Sequence, residues 1–219
     1  MPHTLYMVAT PIGNLADWSE RARTVVLRVN AVFAEDTRVA MRLLRACGIQ
    51  ASVERYDHHS HARTWPRVLR ALQEGDVAYV SDAGTPGVED PGGRLVAAAI
   101  EAGFVVSPIP GPSAIMAALS VSGFPAERFV SFGFPPKKKG RQTFFDTVAA
   151  TEGTTVLYES VHRIEKTVGE IAMRQPTRRI LLARELTKMH EQLFRGTAES
   201  VLGALTTSTQ KGEYMIVLE

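Results

Sequence analysis

The chain has 219 residues, 45% hydrophobic and 22% charged, enough to bury the core of one or two domains without a disulfide or structural metal. Its single cysteine, Cys47, excludes an internal disulfide and a paired-thiolate zinc site and suits a reducing compartment, with cytoplasm the default. The net charge of +2 is too small to announce nucleic-acid binding by itself. No apolar run is long enough to cross a bilayer and no charged-then-apolar leader precedes the first strand-like segment, so a soluble protein is expected.

Short apolar runs alternate with segments of helical period. LYMVAT (5–10) precedes a helix over 19–29, AVFAE (31–35) a helix over 38–47, and SVERY (52–56) a helix over 61–73. VAYVSD (77–82) precedes a helix over 92–102, and FVVSPIP (104–110) a helix over 113–121. Strand followed by helix, repeated, predicts a mostly parallel sheet covered by helices. After a break at SGFPA (122–126) come FVSFGF, TTVLYES, RRILLARE and YMIVLE, with helices near 141–150, 161–173 and 199–205. This predicts two α/β domains, 1–121 and 122–219.

Four strands of the first half end in chemically loaded loops: TPIGN, EDTR, SDAGTPGVEDPGG and PGPSA. In open α/β sheets ligands bind beyond the carboxyl ends of the strands, so these loops are expected to converge on one pocket. In the third, Gly84 and Gly87 permit tight turns, Pro86 stiffens them, and Asp90-Pro91 reads as helix cap and first helical residue. Taken alone, the same loop also reads as a plain connection. G-x-G-x-x-G, G-x-x-x-x-G-K-[ST], G-x-S-x-G and H-E-x-x-H are all missing. Asp82 would discourage a phosphate and favour a hydroxyl or a cation. S-adenosylmethionine, with a sulfonium charge and no phosphate, fits such a site.

Other polar clusters admit two readings each. His58, His59 and His61 lack a separated fourth ligand, so a polar loop is preferred to a zinc site, and no metal is assigned. Lys137, Lys138, Lys139 and Arg141 read as a solvated loop or a phosphate-binding patch, and Phe132, Phe134, Phe144 and Phe145 beside them as core. Glu159 and Glu185 end apolar strands, where a carboxylate is costly to bury unless paired, with Arg163 and Arg184 as the available partners.

In order along the chain, TPIGNLAD, AEDTR, YVSDAGTPGVEDPG, PGPSA, FPPKKKGRQ, YESVHR, RELTKMHEQLFRG and GEYMIVLE closely resemble the small-subunit ribosomal RNA methyltransferase I family, of the tetrapyrrole-methylase fold class. The resemblance implies an N-terminal mostly parallel sheet, a C-terminal mixed sheet and S-adenosylmethionine in a cleft between the two domains. It also implies a homodimer and methylation of a cytidine ribose 2′-hydroxyl in 16S rRNA of the small ribosomal subunit. Carried over, cofactor contacts fall on Pro11, Gly13, Asn14, Asp82, Ala83, Gly84, Thr85, Pro86, Ser113 and Ala114, and on Glu159, Leu186, Gly212 and Glu213; the basic run Lys137, Lys138, Lys139 and Arg141 is the candidate RNA-binding patch, read from its charge.

The sequence departs from the family pattern at Val161, usually proline, and in DHHSH; members commonly continue past the last strand into a helical tail. For the hydroxyl side of the reaction the first candidates are Asp36 with Arg38, then Lys188 and Glu191, with a purely structural Asp36–Arg38 pair as the alternative. Methylation of a tetrapyrrole or a protein side chain, and a non-catalytic RNA-binding module, are the rival readings.

Overall fold

Residues 2–57, 61–206 and 212–219 are described by a computed structural model, and two units are distinguished, Met1–Ser113 and Ala114–Glu219. In the first, β1 (Thr4–Val8), β2 (Ala31–Ala34), β3 (Val53–Arg55), β4 (Val77–Val80) and β5 (Val105–Ile109) form one sheet in the order β3-β2-β4-β1-β5. Every pairing in it is parallel. The connecting helices are α1 (Glu20–Arg28), α2 (Thr37–Ala46), α3 (His61–Glu74) and α4 (Gly92–Glu101).

Side chains alternate across the sheet with period two. Val8, Val32, Ala34, Ala78 and Val80 join Ala22 and Val26 of α1 and Ala40 and Leu44 of α2 in one core layer. Leu5, Met7, Phe33, Val77 and Tyr79 join Val68 and Leu72 of α3 and Leu95 and Ala99 of α4 in the other. With both faces covered, β4 reads as an unbroken apolar run rather than an alternating one.

The second unit comprises α5 (Ala114–Ser120), β6 (Phe129–Ser131), α6 (Arg141–Ala150), β7 (Thr154–Ser160), α7 (Ile164–Arg174), β8 (Arg179–Arg184), β9 (Gln192–Thr197), α8 (Ala198–Thr206) and β10 (Glu213–Leu218). Its sheet runs β6-β7-β10-β8-β9. β6 and β7 are parallel and the other pairs antiparallel, giving a mixed sheet. Leu157, Ile180, Leu182 and Ile216 face Val168 and Ile171 of α7 and Val201 of α8 in its core.

Several boundaries differ from the sequence reading. Helix α5 packs on β10, so the units divide at Ser113 where the sequence placed the division after Val121. Strand β9 lies in the RELTKMHEQLFRG block; it is an edge strand with Gln192, Arg195 and Gly196 exposed, so it carries no apolar run. Helix α7 starts at Ile164 rather than Val161, and Val161 packs against the core. At α4 the cap position is Pro91, with Gly92 the first helical residue. Asp90 still satisfies that helix end, its Oδ1 accepting from the Gly92 and Gly87 N–H groups at 2.6 and 2.9 Å. His58 and His59 lie outside the described residues, while His61 Nδ1 is 2.6 Å from the Tyr56 hydroxyl.

A polar network is built into the second unit's core. Thr167, fully buried, donates from Oγ1 to Glu159 Oε2 at 2.6 Å and accepts from Arg141 Nη2 at 2.6 Å. Arg163 and Glu170 complete it, at 2.8 Å from Glu159 and 2.7 Å from Arg141 respectively. Thr167→Val keeps the shape but leaves both partners one hydrogen bond short. It is expected to lower stability by about 1–3 kcal/mol, read as a lower urea midpoint at unchanged slope.

Candidate functional site

The connections leaving β1 and β4 diverge. The chain leaves β1 through α1 on one face to reach β2, and leaves β4 through α4 on the other face to reach β5. Adjacent strands whose connections go opposite ways open a crevice at their carboxyl ends, the usual place for a ligand in such sheets.

Backbone hydrogen bonds shape that crevice. Beyond the parallel ladder, Thr10 and Gly84 form an antiparallel bridge, Thr10 N–H donating to Gly84 O at 2.9 Å and Gly84 N–H to Thr10 O at 3.1 Å. Ser81 Oγ donates to the same Gly84 carbonyl at 3.0 Å, and Thr10 Oγ1 to Ser81 O at 3.2 Å. Gly84 has φ +82°, a conformation that disfavours a side chain, and a Cβ there would meet Ile12 Cγ2 and Pro112 O. Thr85 Oγ1 ties this loop to the one after β5 by donating to Pro112 O at 3.0 Å. Pro11, Gly13, Asn14, Asp82 to Pro86 and Ser113 are therefore brought to one sheet edge. The Asn14 side chain caps a short 3₁₀ turn by accepting from Ala16 N–H at 3.0 Å.

The site's charge is acidic. Among the loops after β1, β4 and β5 there is no lysine or arginine, whereas Glu35, Asp36 and Asp82 stand at the ends of β2 and β4. Asp82 Oδ1 accepts from the Asp36 N–H at 3.0 Å; partial desolvation raises its carboxyl above the usual aspartate range. Glu35 is raised by burial and by the charges of Asp82, Asp90 and Asp57, and among the described residues its carboxylate has no hydrogen-bond donor. Asp36 is the opposite. It caps α2, and hydrogen bonds from the Arg38 side chain and N–H hold its carboxyl far below the usual range. The Asp36–Arg38 pair is thus structural at least in part, with Asp36 committed as the cap of α2. Glu35, one residue earlier in the same AEDTR block, has no such partner among the described residues.

In the second unit, Glu185 and Thr187 adopt positive φ angles of 51° and 66°, strained for residues with side chains. Between them Leu186 is buried. Lys188 Nζ donates to Glu185 Oε1 at 2.9 Å and Glu213 Oε2 at 2.8 Å; Glu185 thus pairs with Lys188, and Arg184 Nη1 donates to Gln192 Oε1 instead. Although desolvation opposes it, the two carboxylates raise the Lys188 pKa, so the side chain is a fixed cation and not a proton acceptor. Glu191 accepts from Thr187 N–H at 2.6 Å and closes the turn. Gly212 lies against Glu185, where a Cβ would sit 2.5 Å from that side chain. An open cavity of about 600 Å³ is lined by Arg184, Glu185, Glu191 and Gly212.

Two assigned residues have their side chains committed elsewhere. Glu159 is buried and its carboxylate fully engaged by Arg163, Thr167 and the Ser160 N–H. Arg141 is only 5% exposed and paired with Glu170, so its guanidinium cannot meet RNA. Lys137, Lys138 and Lys139 are exposed as expected. Phe145 is buried and Phe132 and Phe144 pack on the core, but Phe134 is 51% exposed and not core.

The fold and this crevice define a class: the model of the Tetrapyrrole (Corrin/Porphyrin) Methylases matches residues 4–202. Solved structures agree on the fold. A uroporphyrin-III-C-methyltransferase from Thermus thermophilus superposes with TM-score 0.67 at 20% identity, covering 98% of this chain and 93% of that one. Diphthine synthase gives TM-score 0.77 at 15% identity, over 98% and 89%. Within that class, proteins named ribosomal RNA small subunit methyltransferase I match almost throughout: 44% identity for Synechocystis sp. (98% of this chain, 78% of that protein), 43% for Neisseria meningitidis serogroup B (98% and 75%) and 39% for Halalkalibacterium halodurans (99% and 75%). The chain belongs to the ribosomal RNA small subunit methyltransferase I family.

The residues fit S-adenosylmethionine. The crevice offers backbone groups, a cradle at Gly84 that a Cβ would narrow, and the carboxylates of Glu35 and Asp82 with no lysine or arginine in the loops after β1, β4 and β5, which suits a sulfonium and not a phosphate.

The same carboxylates make the site costly to fold. A folded pKa raised above the ordinary 4.5 of glutamate contributes stability below that pH and loses it as pH rises through the folded value. Ionised Glu35 therefore destabilises the protein at pH 7. Glu35→Gln is expected to raise the melting temperature at pH 7, with the gain shrinking towards zero below pH 4.5, measured by thermal scans of both proteins across that range.

Proposed function

We propose that the protein methylates the ribose 2′-hydroxyl of a cytidine in small-subunit ribosomal RNA, with S-adenosylmethionine as methyl donor. The observation that supports the donor is the crevice at the β1/β4 divergence, whose lining loops after β1, β4 and β5 carry acids and no lysine or arginine. The substrate rests on the name shared by relatives 39–44% identical over nearly the whole chain. We further read the protein as a cytoplasmic homodimer; among the described residues no helix is long and apolar enough to cross a membrane.

When bound, the cofactor supplies a methyl group already activated by its sulfonium. The chain's own work is alignment and proton removal. Backbone groups of Pro11, Gly13, Asn14, Ala83 to Pro86, Ser113 and Ala114 hold the cofactor, since the side chains of Asn14 and Thr85 are already engaged. Asp82 faces its positive charge. In the second unit we read Leu186, Gly212 and Glu213 as cofactor residues on the family resemblance, and Glu159, whose carboxylate is engaged, only through its backbone. We assign the hydroxyl proton to Glu35, whose carboxyl stands at the end of β2 with its pKa raised by burial and by nearby acids. Lys188, held as a cation, supplies positive charge that suits a phosphate or a developing oxyanion.

Tritiated methyl transfer to undermethylated small subunits, with mapping of the product, is expected to place one methyl on a cytidine ribose. Labelling of a porphyrin precursor with no labelling of subunits would overturn the reading. Glu35→Gln is expected to lower kcat by about 10²- to 10⁴-fold while calorimetric affinity for S-adenosylmethionine is kept. Asp36→Asn, which still caps α2, should retain far more turnover.

A further inference from the structure

We infer that Phe134 and the Lys137–Lys139 run form a binding site for an unpaired RNA nucleotide, the Phe134 ring stacking on the base and the lysines meeting the flanking phosphates. This deepens the rRNA reading above and rests on it.

Phe134 is a large apolar side chain left 51% exposed. Its ring stacks on Tyr158 at 5.1 Å between centroids and 26° between planes, so one face is backed by a second aromatic ring. Three residues on, Lys137, Lys138 and Lys139 are all exposed and form no ion pair with an acidic side chain among the described residues. Neither feature contributes to the core. Together they match what a single-stranded nucleotide offers: a planar π-face and, within a few ångströms, a negative phosphate.

The loop is also held rigid, which reduces the ordering cost of binding. It continues the β6/β7 pairing through Phe132 N–H to Val156 O at 2.9 Å and Tyr158 N–H to Gly133 O at 3.0 Å. Arg163 Nη1 then donates to Pro135 O at 2.8 Å and Arg141 Nη1 to Pro136 O at 3.0 Å. Both arginines are anchored by carboxylates, the buried Glu159 and the partly buried Glu170. The two prolines lie between the aromatic ring and the lysines, so ring and charges keep a fixed spacing. Arg141 thus serves RNA binding as a positioning residue beneath the loop, although its own guanidinium is buried.

The test uses the full chain, a fluorescent single-stranded oligocytidine and small subunits. Phe134→Ala is expected to weaken oligonucleotide binding and raise KM for subunits by about 5- to 100-fold, the range of one base–aromatic stack, with affinity for S-adenosylmethionine unchanged. Phe134→Tyr and Phe134→Trp should restore binding and Phe134→Leu should not. Replacing the three lysines by glutamine should flatten the salt dependence by about 0.7 per lost phosphate contact.

Wild-type RNA binding in Phe134→Ala, equal rescue by leucine, or a parallel loss of S-adenosylmethionine affinity would each overturn the site. So would displacement of the oligonucleotide by a carboxylated porphyrin that itself is methylated. If the wild-type protein labels subunits while Phe134→Ala does so equally well, only this inference fails; if the wild type labels none, the functional reading fails and takes this one with it.

Discussion

Two backbone hydrogen bonds between Thr10 and Gly84 hold together everything that can be called a site in the first unit. They join the ends of β1 and β4 just where the chain leaves those strands for opposite faces of the sheet. Without them the two loops would be free to splay. With them, Ser81, Thr85 and Pro112 lock in turn through their own hydrogen bonds, and the glycine at the bridge keeps its positive φ without the cost a side chain would bring.

Charge is sorted around this frame with opposite purposes in the two units. At the strand ends of the first, desolvation and then neighbouring acids raise the carboxyls of Glu35 and Asp82, a cost to folding when they are ionised. The second unit pairs two arginines with two glutamates, Arg141 and Glu159 being buried, and directs further donors of both arginines to the carbonyls of one basic loop. In the first case Glu35 is left without a hydrogen-bond donor among the described residues. In the second, charge is fully satisfied so that the lysines above it stay in place.

Much of this was legible in the chain. The strand and helix rhythm, the parallel sheet and the loaded loops after β1, β2, β4 and β5 follow from periodicity and from turn residues such as Gly84 and Pro86. Less legible were the roles inside a block. AEDTR shows two adjacent acids, and composition cannot say that Asp36 is used up as a helix cap while Glu35, beside it, is crowded by distant acids. KKKGR shows four similar cations, and nothing local says that Arg141 turns inward. Strand β9 was hidden because an edge strand has neither a continuous apolar run nor strict alternation.

The sequence by itself determined the elements, the family and the chemical character of the pocket, because these depend on local spacing and on which residue types are present or missing. Only the tertiary structure decided which carboxylate caps a helix, which arginine is a girder and which phenylalanine faces water. Those distinctions depend on burial and on partners dozens of residues away, such as Asp82 for Asp36, Glu170 for Arg141 and Tyr158 for Phe134, and the free energy of a charge or a ring is set by such neighbours rather than by its place in the chain.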